Sequence, residues 1–137
     1  MKWIYGKQEL KNLERGQENC YLLTNGLGGF SSMTMTGSVA RNDHALLMAC
    51  VQAPNHRYNM VHRLKESLCL GEEEIVLSSQ EFADGYKEEG CPYLSSFVFD
   101  DMPIWSFLVQ GVEIRKEIAM KQGENTVAVR YSIRNGS

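Results

Sequence analysis

The chain has 137 residues, 43% of them hydrophobic, and a formal net charge of −3; that suffices for one domain, residues 1–137, with a buried core. Lys and Arg are spread along the chain without a basic block, which argues against nucleic acid or an anionic membrane as partner. No apolar run nears the roughly 20 residues of a membrane span, and Met1–Gly6 turns polar too soon for a signal peptide, so a cytoplasmic location is expected.

Trp3 and Tyr5 share one face of an expected first strand, and edge cover is their expected role. Residues 7 to 18 are helix-compatible: Leu10 and Leu13 stand three apart among good helix formers, and Gly16 ends the run. A short helix or an irregular arm is expected there. Cys20–Leu23 is apolar and leads into Thr24-Asn25-Gly26-Leu27-Gly28-Gly29-Phe30. Ser31–Thr36 alternates and is rich in β-formers, so the glycines join strand to strand. A phosphate cradle would need a helix N-terminus at that point. Glycines clustered in this way permit positive φ and close approach to the backbone.

Ala45–Val51 is a continuous apolar run, as in a central strand covered on both sides. Asn55–Asn59 reads as a polar, aromatic loop of the kind that can contact sugar, or as an ordinary exposed loop. Val61–Leu70 is ambiguous and leads through Gly71 into Ile75-Val76-Leu77, a plausible hairpin. Gln80–Tyr93 is a long polar segment carrying Tyr86 and Tyr93, and a loop of that length points to a partner or glucan contact. Leu94–Phe99 and Trp105–Val109 are strands. In Val112–Met120, Val112, Ile114, Ile118 and Met120 share one face, with Glu113, Arg115 and Glu117 on the other. Val127, Val129, Tyr131 and Ile133 line one face of the next strand, and Lys121–Asn125 is the hairpin loop between them. The strand stops at Ile133 just before Arg134-Asn135-Gly136-Ser137, which reads as a chain cut at a turn.

About nine short strands with at most one short helix imply an all-β antiparallel sandwich, with a closed barrel as the alternative. Cys20, Cys50, Cys69 and Cys91 form no C-x-x-C pair, so neither zinc nor another metal is expected. They read as small buried hydrophobes in a reducing compartment. His44 opens an apolar strand and is expected to be structural, bonded to a backbone carbonyl. His56 and His62 are some 20 Å apart on an extended chain, too far to share a metal.

Tyr21–Phe30 and the later Arg41, His44 and Leu46-Leu47 resemble the opening motif of the N-terminal domain of bacterial and archaeal glycogen debranching enzymes. Leu94–Phe97, Pro103-Ile104-Trp105 and Gly123–Val127 resemble the same domain in the same order, so the likeness covers roughly residues 20 to 134. The family pattern around the histidine is Arg-Arg/Lys-Tyr-His-Gly, where this chain has Arg41-Asn42-Asp43-His44-Ala45. The resemblance implies a large β-sandwich ahead of an α/α-barrel amylo-α-1,6-glucosidase domain, and an N-terminal piece of a longer enzyme. It implies Asn25, Arg41, Asp43 and His44 as candidate substrate-binding residues, with no cofactor and no catalytic residue in this chain. Hydrolysis of an α-1,6 bond needs two carboxyl groups flanking the glycosidic oxygen. Most of the 17 acids here read as solvated, many of them in turns and polar loops, and none falls in a recognisable acid/base frame. The leading expectation is an accessory domain packed on the glucosidase domain. An autonomous α-glucan-binding module is the alternative, and an orphaned docking face would favour self-association of the fragment.

Overall fold

The computed structural model describes residues 2–10, 13–52 and 56–135. Lys11 and Asn12 of the expected helix, Asn55 of the expected loop, and Gly136 and Ser137 lie outside the described residues. Antiparallel strands dominate, and they form a sandwich rather than a closed barrel. The first layer is a five-stranded sheet. It comprises β1 (Trp3–Tyr5), β10 (Leu94–Phe99), β11 (Pro103–Val109), β12 (Val112–Met120) and β13 (Val127–Asn135), hydrogen-bonded in that order. The second is a four-stranded sheet in chain order: β2 (Leu23–Thr24), β3 (Phe30–Ser32), β4 (Ala45–Gln52) and β5 (His56–Val61). Two hairpins complete the fold: β6 (Ser67–Leu70) with β7 (Glu73–Val76), and β8 (Ser79–Glu81) with β9 (Lys87–Glu89). The helix is a single turn, Leu13–Gly16.

Period-two alternation builds the core. Register sets Phe97 beside Trp105 and Phe107 beside Ile114, so these side chains share the inner face of the first sheet. They are buried with Ile118, Val109 and Leu94, and from the second layer with Tyr21, Met33, Met35 and Leu46. Tyr21 stands edge-on to Trp105 at 5.5 Å between ring centroids. The Trp105 indole N–H donates to the Met35 carbonyl at 2.9 Å, so the largest core ring also bolts the layers together. Burying a ring of that size is worth on the order of 2–3 kcal/mol.

Lys116 breaks the apolar inner face. It pairs in register with Trp105 and points inward, almost fully buried. Its ammonium lies 5.1 Å from the Trp105 ring centroid and 2.7 Å from Glu66 Oε2. The Tyr131 hydroxyl donates to the same carboxylate oxygen. Burial and then the neighbouring carboxylate hold the Tyr131 phenol above its usual range. The charge is thus compensated on the spot, as a buried ion must be.

Several local expectations are corrected. The segment 31–36 is not one strand: β3 ends at Ser32, and Thr34 only bridges to Cys20. A turn with Gly37 at φ 79° then brings the Thr34, Thr36 and Ser38 hydroxyls together, with 2.7 Å between Thr34 and Ser38. Those buried side chains bond one another instead of continuing a ladder. His56–Asn59 is edge strand β5, not loop. Gln80–Tyr93 holds the β8–β9 hairpin and a 3₁₀ turn at Cys91–Tyr93. Of the four free thiols, Cys50 and Cys91 are buried as expected, but Cys20 and Cys69 are exposed.

Candidate functional site

The glycine cluster makes a loop between β2 and β3, as the flanking strands required. Gly26 and Gly28 take φ of 80° and 87°, the left-handed region that glycine enters without cost. Gly29 is needed for space instead. A Cβ there would lie 2.8 Å from both the Asn25 amide nitrogen and the Met48 carbonyl.

Asn25 organises the loop. Its Oδ1 accepts from the backbone N–H of Leu27 at 2.9 Å and of Gly29 at 3.1 Å. Its Nδ2 donates to the Glu124 carbonyl at 3.0 Å and to Asn125 Oδ1 at 2.9 Å. The Gly123 N–H donates to the Asn25 carbonyl at 2.7 Å, and Gln122 Nε2 to the Thr24 carbonyl at 2.6 Å. The loop is therefore fastened to the β12–β13 turn. Asn25 is fully buried, and every hydrogen-bonding position of its amide is used within the chain.

An open groove of about 870 Å³ lies along this loop on the outer face of the four-stranded sheet. Phe30, Ser32 and Met48 form its floor, the glycines one wall, and Asp43 and Arg57 its polar groups. Arg57 is held in place: Nε donates to the Gly28 carbonyl at 2.8 Å, and the guanidinium lies 5.9 Å from the Phe30 ring centroid. The sequence pattern notes Arg57 only within Asn55–Asn59, a candidate sugar-contacting loop, and gives Phe30 no groove role. A register connecting β5 to the glycine loop was needed to find them.

The four candidate residues separate. Asp43 lines the groove, and Asn25 supports its wall from inside. Arg41 turns away, its Nη1 2.7 Å from Cys20 Sγ. His44 is buried, and its Nδ1 accepts from the N–H groups of Ala40 at 3.0 Å and Arg41 at 3.2 Å. The expected bond to a carbonyl is corrected: two turn amides converge on the ring, which must present an acceptor to them. The His44 N–H also donates to the Arg41 carbonyl at 3.0 Å. The histidine thus closes the turn that carries Asp43 to the groove.

Burial first, then the Arg41 charge, lowers the His44 pKa, and Asp43 opposes them weakly. A base with a depressed folded pKa favours folding above its unfolded value of about 6.5 and loses that contribution as pH falls toward the folded one. Stability to urea should therefore drop as the pH falls below about 6.5. His44→Asn retains an acceptor at the Nδ1 position without titrating, and should flatten that segment of the profile. An unchanged slope in the variant would show that other groups set it.

The acids buried elsewhere are tied into ion pairs. Glu88 contacts Arg63 and Lys65, Glu117 contacts Arg115 and Arg130, and Glu66 contacts Lys116. Asp43 is the one carboxylate among the described residues lining the groove. No group of three or more His, Cys, Asp or Glu fit to hold a metal occurs among the described residues.

Fold and groove together define an antiparallel β-sandwich domain with a loop-bordered groove on its outer face. Comparison with known families is more specific: the family described as glycogen debranching enzyme N terminal matches residues 19–137. The chain belongs to that family. No curated protein and no solved structure gives a significant match. No helix among the described residues is long and apolar enough to cross a membrane.

Proposed function

We propose that the chain is the non-catalytic N-terminal domain of a cytoplasmic glycogen debranching enzyme. It packs on an α/α-barrel α-1,6-glucosidase domain and shapes the entrance through which α-glucan reaches that domain. The observation that carries this reading is the groove beside the glycine loop. It offers a mostly apolar floor of Phe30 and Met48 beside Ser32, with one anion and one cation, which suits a hydroxyl-rich, neutral chain. A glycosidase needs two carboxyl groups facing one another, and this groove supplies one, so the catalytic pair belongs to the partner domain.

The 137-residue chain is expected to release no glucose from a branched limit dextrin. Titrated with maltoheptaose, it should show NMR shift changes around Phe30, Asp43 and Arg57. Asp43→Asn, a substitution of nearly equal shape, should weaken that binding by roughly tenfold through loss of a charged acceptor. Glucose release by the chain alone would sink the non-catalytic assignment.

A specific observation supports the second reading, an autonomous α-glucan-binding module. Trp3, Tyr5, Phe97 and Phe99 line a cleft of about 350 Å³ at the β1 edge, and Trp3 is 52% exposed. Such rings can stack on pyranose faces. Shift changes confined to Trp3 and Phe99 would transfer the glucan to that cleft.

A further inference from the structure

Asn25 is followed directly by Gly26, and that dipeptide has a reaction of its own. With no side chain on the following residue, the Gly26 nitrogen is unshielded and its backbone turns freely. Once it yields its proton to hydroxide, it can attack Asn25 Cγ. The new N–Cγ bond closes a five-membered imide. The Cγ–Nδ2 bond breaks, and Nδ2 takes a proton from water and leaves as ammonia. Water then adds to one imide carbonyl, the C–N bond there breaks, and the nitrogen regains its proton. Attack at the side-chain carbonyl gives aspartate, and attack at the main-chain carbonyl gives isoaspartate. Water enters, ammonia departs, and nothing is oxidised or reduced.

The folded loop withholds this reaction from one side only. The Leu27 and Gly29 N–H groups on Oδ1 belong to the loop itself, and they would steady the negative charge that builds there during attack. Restraint comes from the leaving group. Both Nδ2 hydrogens are committed to the β12–β13 turn, at the Glu124 carbonyl and Asn125 Oδ1, so expelling Nδ2 forfeits both bonds. The residue is also fully buried, away from hydroxide and water. We propose that Asn25–Gly26 is a self-modification site gated by its fastening to the β12–β13 turn. Fastened, the amide persists; opened, it deamidates, and the change is one-way. A carboxylate has no N–H to return to Glu124 and Asn125. An isoaspartate also adds a main-chain carbon to a loop whose course is set by Gly26 and Gly28 at φ 80° and 87°.

Peptide mapping by tandem mass spectrometry, following amide-to-acid conversion at position 25 in mildly alkaline buffer, tests this. The chain in urea should convert readily, and the native chain about a hundredfold more slowly, because only the opened fraction reacts. Asn125 and Gln122 are exposed, so truncating either leaves the fold intact, which a thermal melt verifies. Asn125→Ala removes one Nδ2 acceptor and should raise the native rate by about fivefold. Gln122→Ala removes the bond to the Thr24 carbonyl and should raise it by about threefold; either folded variant suffices. Deamidated chain, isolated by ion exchange, should melt well below the parent. No conversion at position 25 in urea overturns the site. Equal rates in urea and native buffer, or parental rates in the folded variants, overturn the gate. A deamidated chain that melts with the parent overturns the one-way loss.

Discussion

Asn25→Ala is expected to destabilise the chain by about 3–5 kcal/mol in urea denaturation. The amide satisfies two backbone N–H groups of its own loop and two acceptors on the β12–β13 turn. Each buried polar group left without a partner costs about 1–3 kcal/mol, and alanine strands several at once. Asn25→Asp separates the two halves of the role. A carboxylate still accepts from Leu27 and Gly29, but it meets the Glu124 carbonyl and Asn125 Oδ1 as acceptor against acceptor. It should therefore also cost several kcal/mol, and pull the loop from the turn while preserving the loop's own bonds. A residue whose main business is touching sugar would behave differently, with weakened glucan binding and stability within about 1 kcal/mol of the parent. That result would overturn the structural role.

Gly90→Ala should be at least as damaging, about 4 kcal/mol or more, and is expected to leave little soluble protein. The position has φ −84° and ψ −5°, which any residue adopts. The obstacle is space: a Cβ would sit 1.8 Å from the Leu77 carbonyl oxygen and 2.2 Å from its carbon. Both are backbone atoms, so relief means moving the strands. The Gly90 N–H donates to the Ser78 carbonyl at 3.1 Å, and the adjoining Cys91 is buried. A shift would therefore break the seam between the β8–β9 hairpin and the core. Gly85→Ala is the control. Gly85 has φ 91° and open space around it, so strain alone should cost about 1–2 kcal/mol. Near-equal melting temperatures for the two variants would refute the steric account.

The strongly alternating segments were the most legible. Val112–Met120 and Val127–Ile133 carry a period of two, with a polar turn between them, and β12 and β13 fall there. The glycine loop was legible as a strand-to-strand connection, since β-formers follow it. What alternation could not show was Lys116, a cation at an inward position. Its tolerance depends on Glu66, 50 residues away in sequence, and on the face of Trp105. Ser31–Thr36 misled because its residues alternate and threonine favours strands, whereas threonine and serine hydroxyls also bond one another across turns. Only long-range packing decides between those uses. Among the site residues, the family resemblance drew attention to Asp43 and His44, but not to their division of labour. That division rests on two amides folding back onto the imidazole. Arg57, noted only as part of a polar loop, and Phe30 could not be brought together for a related reason, since a groove floor is composed of register between strands and not of neighbours along the chain.

The fastening of Asn25 to Glu124 and Asn125 spans 99 and 100 positions. On a ribosome adding about 5–20 residues per second, the glycine segment emerges many seconds before its anchor exists. During that interval the Asn25 side-chain nitrogen and backbone carbonyl lack their partners at Gly123, Glu124 and Asn125. The nascent chain thus carries its glycine loop unfastened until residues 123–125 have emerged, and any stall or premature release before that point yields a polypeptide that cannot close the groove.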